Sequence, residues 1–315
     1  MLVSLKSLAS SMALLPLVVA NIQDIQTRDN SIERRFVDPV IAITPTDANF
    51  GISAVAPGRF VTSADGTKIF AEARGNPLKP AIVFIHGFGL GAMAFNEIFD
   101  DPLWLLQVYL VRYDTRGHGR SDKPTNAAAW VSQRLAEDFD AVRLILRISY
   151  PSTPPNYISG IIYDAAVPYM ASIFNVGSPA AVATVPGLTT TTNVTQFQAA
   201  YIQFINLCHP ALEWNFYLAC LGDGVVQPRA DAQFLFTRTQ NSTGLLEAGT
   251  SGALPLLAIF GGNDKVVLKQ ASLDAIAGWK RLNVTTLANA EHFTWIGQQV
   301  LFRTTVLDWI TLNVV

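Results

Sequence analysis

The chain has 315 residues, half of them apolar, and its 22 basic residues nearly cancel its 24 acidic ones. That length suits one large core rather than several independent domains, and the near-neutral balance argues against a nucleic-acid scaffold, which needs a basic surplus on some face. So much apolar content excludes disorder, and two cysteines with four histidines are too few for a disulfide framework or a zinc site.

Residues 1–20 read as an export signal: Lys6 supplies the positive charge, an apolar stretch follows, and Val18-Val19-Ala20 offers small residues at a cleavage point. The stretch is interrupted by Ser10, Ser11 and Pro16 and is shorter than the ~20 residues a bilayer span needs, so no stable membrane span is expected. Secretion is the expected localisation, with an intracellular protein as the alternative. The sequons at Asn193, Asn241 and Asn283 are glycosylation candidates that fit a secreted glycoprotein. Cys208 and Cys220 are a disulfide candidate for an oxidising compartment, worth roughly 3 kcal/mol; two buried thiols are the other reading.

Residues 21–58 are polar, contain proline and show no sustained period, as expected of an N-terminal arm. Arg59 to Ser63 and Lys68 to Ala73 flank Asp65-Gly66, the pattern of an antiparallel hairpin. Ala81 to His86 and Gln107 to Asp114 are continuous apolar runs, as in strands of a parallel sheet buried on both faces. A helix over Trp130 to Leu146 precedes a short buried strand, Ile158 to Tyr163. Strands at Leu254 to Phe260 and Leu282 to Leu287 enclose a helical stretch from Lys269 to Trp279. The chain closes on a helix with Phe302, Val306, Trp309 and Ile310 on one face.

This alternation predicts an α/β sheet with crossovers, its core formed by 59–169 and 250–315. Residues 170–249 read as an inserted helical cap, with Phe197, Tyr201, Phe204, Ile205 and Cys208 at helical spacing. An insertion there falls at the carboxyl edge of the sheet, where ligands bind. Its aromatics either roof an apolar pocket or pack the cap's own core.

The first long strand runs into His86-Gly87-Phe88-Gly89, a turn whose backbone can present an N–H to a developing oxyanion. The next is followed by Asp114-Thr115-Arg116-Gly117-His118-Gly119-Arg120-Ser121. Asp264 lies in Gly261-Gly262-Asn263-Asp264, and His292 in Ala290-Glu291-His292-Phe293. From Arg59 onward this set, in this order, resembles the α/β-hydrolase superfamily, in the branch of esterases, haloperoxidase-like enzymes and epoxide hydrolases. The resemblance implies an α/β-hydrolase fold, Asp264 as triad acid, His292 as triad base, Phe88 as oxyanion donor on the turn of His86, Gly87 and Gly89, and neither metal nor organic cofactor. It also implies a small apolar or ester-like molecule under the cap as partner.

One feature departs from that pattern. The nucleophile elbow, G-x-S-x-G at a strand-to-helix turn, should lie between the helix ending near Leu146 and the strand beginning at Ile158. Strand, turn and helix need roughly 20 to 25 residues, and only Arg147 to Tyr157 are available. Ser149 and Ser152 fall there, but a parallel neighbour needs a crossover of about a dozen residues. The sheet is therefore expected to lack one central strand and its helix, with the strand at Ile158 to Tyr163 moving into the vacated slot beside Ala81 to His86. That placement would bring Asp164 near the nucleophile position, although Ile162 stands where an elbow wants glycine. The expected function is an α/β-hydrolase-family protein, ancestrally a hydrolase of small esters, with an incomplete catalytic triad and impaired or absent catalysis. The alternatives are a non-catalytic small-ligand-binding protein and an epoxide-hydrolase-type enzyme with an Asp nucleophile.

Overall fold

The computed structural model describes residues 16–20, 58–145 and 158–314. The remainder of the expected leader, nearly all of the expected arm, and the interval holding Ser149 and Ser152 lie outside the described residues.

Eight strands form one sheet: β1 (Pro16–Ala20), β2 (Arg59–Thr62), β3 (Lys68–Arg74), β4 (Ala81–Ile85), β5 (Tyr109–Tyr113), β6 (Gly160–Asp164), β7 (Leu256–Gly261) and β8 (Leu282–Leu287). Their order is β2-β3-β5-β4-β1-β6-β7-β8. β4 with β5, and β6 with β7 and β8, pair in parallel. β1 pairs antiparallel with both β4 and β6, which therefore share a direction. The hairpin of β2 and β3 joins β5 antiparallel, so all strands but β1 and β3 point the same way.

The central slot corrects the expectation from sequence. β6 does not lie beside β4; β1 stands between them, with Leu17 opposite both Phe84 and Ile162 and Val18 opposite Val83 and Ile161. A strand arriving from the remote end of the chain can enter a gap antiparallel without the right-handed crossover that a parallel neighbour needs. Pro16, which has no N–H, is tolerated as the first residue of such a strand. The five residues read as the end of an export signal thus supply the middle of the sheet.

Alternation along the strands sends side chains to two cores. Ile82, Phe84, Leu110 and Ile162 face one cluster with Phe95, Trp104, Trp295 and Phe302. Val83, Ile85, Val111 and Ile161 face another with Phe139, Val142, Leu245 and Trp279. With both faces covered, the strands read as unbroken apolar runs instead of alternating ones. Helix α1 (Ser132–Ile145) covers the second face through Phe139 and Val142. Between β6 and β7 the longer helices are α2 (Val194–Cys208), α3 (Trp214–Val226), α4 (Arg229–Thr237) and α5 (Thr243–Ser251), the last turning Leu245 into the second core. After β7 come α6 (Lys269–Ala275) and α7 (Gln299–Asn313). In α7 the four residues with helical spacing, Phe302, Val306, Trp309 and Ile310, are all buried, each burial worth about 1.5–3 kcal/mol. No helix among the described residues is long and apolar enough to cross a membrane.

Candidate active site

Two loops at the carboxyl edge of the sheet bring Asp264 and His292 together. The Asp264 loop leaves β7 and the His292 loop leaves β8, and Gly262 N and Asn263 N donate to Leu287 O and Ala290 O, each at 2.9 Å. The chains approach so closely that a Cβ at Gly261 would lie 2.1 Å from Glu291 O, and one at Gly262 would lie 2.2 Å from Ala288 O. Only glycine fits at either position. Asp264 Oδ1 accepts from Val266 N at 2.7 Å and Val267 N at 3.1 Å, while Oδ2 faces His292 Nδ1 at 3.1 Å. A carboxylate there fixes the proton on Nδ1 and leaves Nε2 as the basic nitrogen. Burial disfavours charge on His292, but the Asp264 charge and hydrogen bond, with Asp164 behind them, outweigh it and raise its pKa.

His292 lines a pocket with His86, Gly87, Phe88, His118 and Phe204. His86 is a brace: its Nε2 accepts from Thr115 N at 2.9 Å, so Nδ1 carries the proton and donates to Gly87 O at 2.8 Å. Burial lowers its pKa and keeps it neutral. His118 follows the same logic, Nδ1 donating to Arg116 O at 3.1 Å and Nε2 accepting from Gln227 Nε2 at 2.9 Å. Asp114 anchors the neighbouring loop, Oδ1 accepting from Ala92 N at 2.6 Å and Oδ2 from Arg120 N at 2.9 Å. Tyr201 ties α2 to the turn at Gly87 to Gly89 by sharing its hydroxyl proton between Gly89 O at 2.6 Å and Cys220 O at 2.9 Å.

Asp164 ends β6 near this pair, but it is 1% exposed and does not line the pocket. Thr294, two residues beyond His292, donates to it, and the chain turns away at Ala165 with φ of +46°. That left-handed backbone is costly for a residue with a Cβ and marks a tight strand exit. Burial pushes the Asp164 carboxyl up to about 7. A carboxyl that holds its proton more tightly when folded contributes stability that is complete below its unfolded pKa and lost as pH rises through about 7. Asp164→Asn should therefore flatten the fall in stability between pH 5 and pH 8, an effect on the order of a few kcal/mol. Urea unfolding midpoints at the two pH values check this; parallel profiles for variant and wild type would mean that Asp164 is ionised throughout.

The remaining candidates sit elsewhere. Cys208 and Cys220 are free, each buried in the first core cluster, so the candidate disulfide is absent and they fill space as small apolar side chains. Burial pushes both thiols up, Cys220 to about 12. Asn193, Asn241 and Asn283 are exposed; Asn193 caps α2 and Asn283 Oδ1 accepts from Trp309 Nε1. Among the described residues no cluster of three or more His, Cys, Asp or Glu could hold a metal ion. Two residues near the site escaped the sequence, Thr294 behind it and Arg238 in the pocket wall. Thr294 could have been found from its place beside His292, whereas Arg238, next to Phe236, carries no motif.

Comparison with solved structures places this architecture. An esterase from Rhodococcus, RhEst1, superposes with a TM-score of 0.66 over 81% of this chain and 99% of its own, at 19% identity. The enol-lactonase of Burkholderia xenovorans gives 0.58 over 80% and 100%, at 17% identity, and a bromoperoxidase from Bacillus anthracis gives 0.55 over 81% and 99%, at 16% identity. This is an α/β-hydrolase fold. No family model matches the sequence. In sequence, the chain is 39% identical over 84 residues to the Mycobacterium tuberculosis protein described as "Probable oxidoreductase EphD". The match spans 27% of this chain and 14% of the relative's length, a small part of that protein. Within this fold, Asp264 and His292 lie in the loops that follow β7 and β8, the last two strands among the described residues.

Proposed function

We propose that this α/β-hydrolase-fold chain binds a small ester-like molecule in the pocket beside His292, and that it turns such molecules over at or near the uncatalysed rate. The direction of β1 carries this reading. In an α/β-hydrolase fold the nucleophile sits where a central strand leaves the sheet and turns into a helix. Here the central slot holds a strand that enters at that edge: Leu17 pairs with Phe84 near the end of β4, and Ala20 with Ala81 at its start. Among the described residues, Asp264 is the hydrogen-bond partner of the His292 ring, and the nearest alternatives are poor nucleophiles. Asp164 is buried away from the pocket and accepts from Thr294, and burial raises the Cys208 thiol well above its ordinary range.

Removing a triad nucleophile costs on the order of 10⁶ in kcat in a serine hydrolase. Purified chain supplied with p-nitrophenyl acetate and butyrate should accordingly release nitrophenol no faster than the His292→Ala variant does. A burst stoichiometric with protein, abolished by His292→Ala, would overturn the reading and show a working acyl-enzyme. Opening of styrene oxide that Asp164→Asn abolishes would instead establish the aspartate chemistry.

A further inference from the structure

The pocket beside His292 contains a cation that no carboxylate among the described residues neutralises. Arg238 follows α4 in extended backbone and lines the cavity with Leu235, Phe236, Met170 and Val182. Its Nη1 donates to Leu235 O at 2.7 Å, within its own helix end. Its Nε is buried and has no hydrogen-bond partner among the described residues. Two arginines that are buried are met by carboxylates, Arg112 by Glu72 at 2.8 Å and Arg116 by Asp138 at 2.6 Å. The pocket lining contains no Asp or Glu at all, and burial alone acts on Arg238, bringing its pKa down to about 10. A guanidinium keeps its charge at neutral pH even so, and one left unpaired in an apolar wall is costly unless a ligand completes it.

The geometry points to a carboxylate-bearing ligand: an apolar body among the Phe236, Leu188 and Val267 side chains, with one carboxylate oxygen accepting from Arg238 Nε. The inference rests on the pocket being the ligand site, as proposed above. It adds the charge class of the molecule that enters. A planar carboxylate matches the guanidinium edge, and its single negative charge balances the single fixed cation. A phosphate dianion would leave one charge uncompensated among apolar side chains, which disfavours it.

The test is calorimetric titration of the full chain at pH 7.5 with octanoate and 4-phenylbutyrate, set against their primary amides and octyl phosphate. The acids should bind at least tenfold more tightly than the amides and more tightly than the phosphate. Arg238→Met should abolish the difference between acid and amide while leaving amide binding in place, and Arg238→Lys should restore part of it. Arg238→Met should also melt at or above the wild-type temperature, since a half-buried cation with an unpartnered Nε has gone. Equal binding of acids and amides, failure of both to bind, preference for the phosphate, or an unchanged preference in Arg238→Met would each overturn the inference. The nitrophenyl ester assay is independent of these outcomes: rapid turnover with retained acid selectivity would sink the proposed function and spare the carboxylate site.

Discussion

Replacing Arg116 with methionine is expected to lower the stability of the fold by about 3–5 kcal/mol. Its side chain is fully buried. The guanidinium meets Asp138 in a two-pronged contact, Nε to Oδ2 at 2.7 Å and Nη2 to Oδ1 at 2.6 Å. Nη1 donates to Asp65 Oδ2 at 2.9 Å and to Ala129 O. One side chain thereby joins the β2–β3 turn, the loop after β5 and α1. Methionine fills similar volume but leaves Asp138, itself 1% exposed, as a buried carboxylate without its cation. The loss comes from that stranded charge rather than from the pair's own net worth, so the double variant Arg116→Met with Asp138→Leu should recover most of it. Urea midpoints for the four proteins of the cycle measure this directly. If the single variant lost less than about 1 kcal/mol, in the range of a surface pair, the site would have to admit water.

A chain beginning at Asn21 is expected to show no cooperative unfolding transition and to aggregate. Without β1, the backbone donors and acceptors that β4 and β6 now share with it would line an open seam in the middle of the sheet. Each buried group left unmet costs about 1–3 kcal/mol, and several on each side exceed the roughly 5–15 kcal/mol that separates folded from unfolded chains. Exposed strand edges with apolar faces are also templates for self-association. Val18→Pro in the full chain should act in the same direction, since it removes an interior donor and proline is foreign to central strands. The readouts are the sharpness of thermal unfolding and the sedimentation profile, with a synthetic peptide of residues 1–20 added in trans expected to restore the transition. A sharp transition in the shortened chain would mean that β4 and β6 pair directly. The export signal expected from sequence, if cleaved after Ala20, would take with it the strand that completes this sheet.

Much of the sheet was legible because a strand buried on both faces leaves a local mark. The runs at Ala81 to His86 and Gln107 to Asp114 became β4 and β5, and Leu282 to Leu287 became β8 with the expected bounds. The hairpin showed through Asp65-Gly66, and α7 through its buried stripe. Asp264 and His292 were findable because each sits just beyond a strand in a short loop of recognisable residues. What local pattern could not convey was partnership. Pro-Leu-Val-Val-Ala has the composition both of a leader end and of an interior strand, and only the gap between two distant strands decides where it lies. For the same reason local pattern alone sets β6 one position too close to β4. Arg238 was invisible because an arginine after an aromatic stretch ordinarily reaches solvent; its isolation depends on α4 folding over the cavity.

The two glycines ahead of Asp264 press the loops of acid and base together through main-chain atoms alone. Neither loop can drift without unseating the ends of β7 and β8, so architecture keeps the imidazole and the carboxylate face to face whatever the pocket does. The pair is held by the sheet itself and not by anything that enters the pocket. For a chain built this way, the closeness of an aspartate and a histidine reports first on the integrity of a sheet corner.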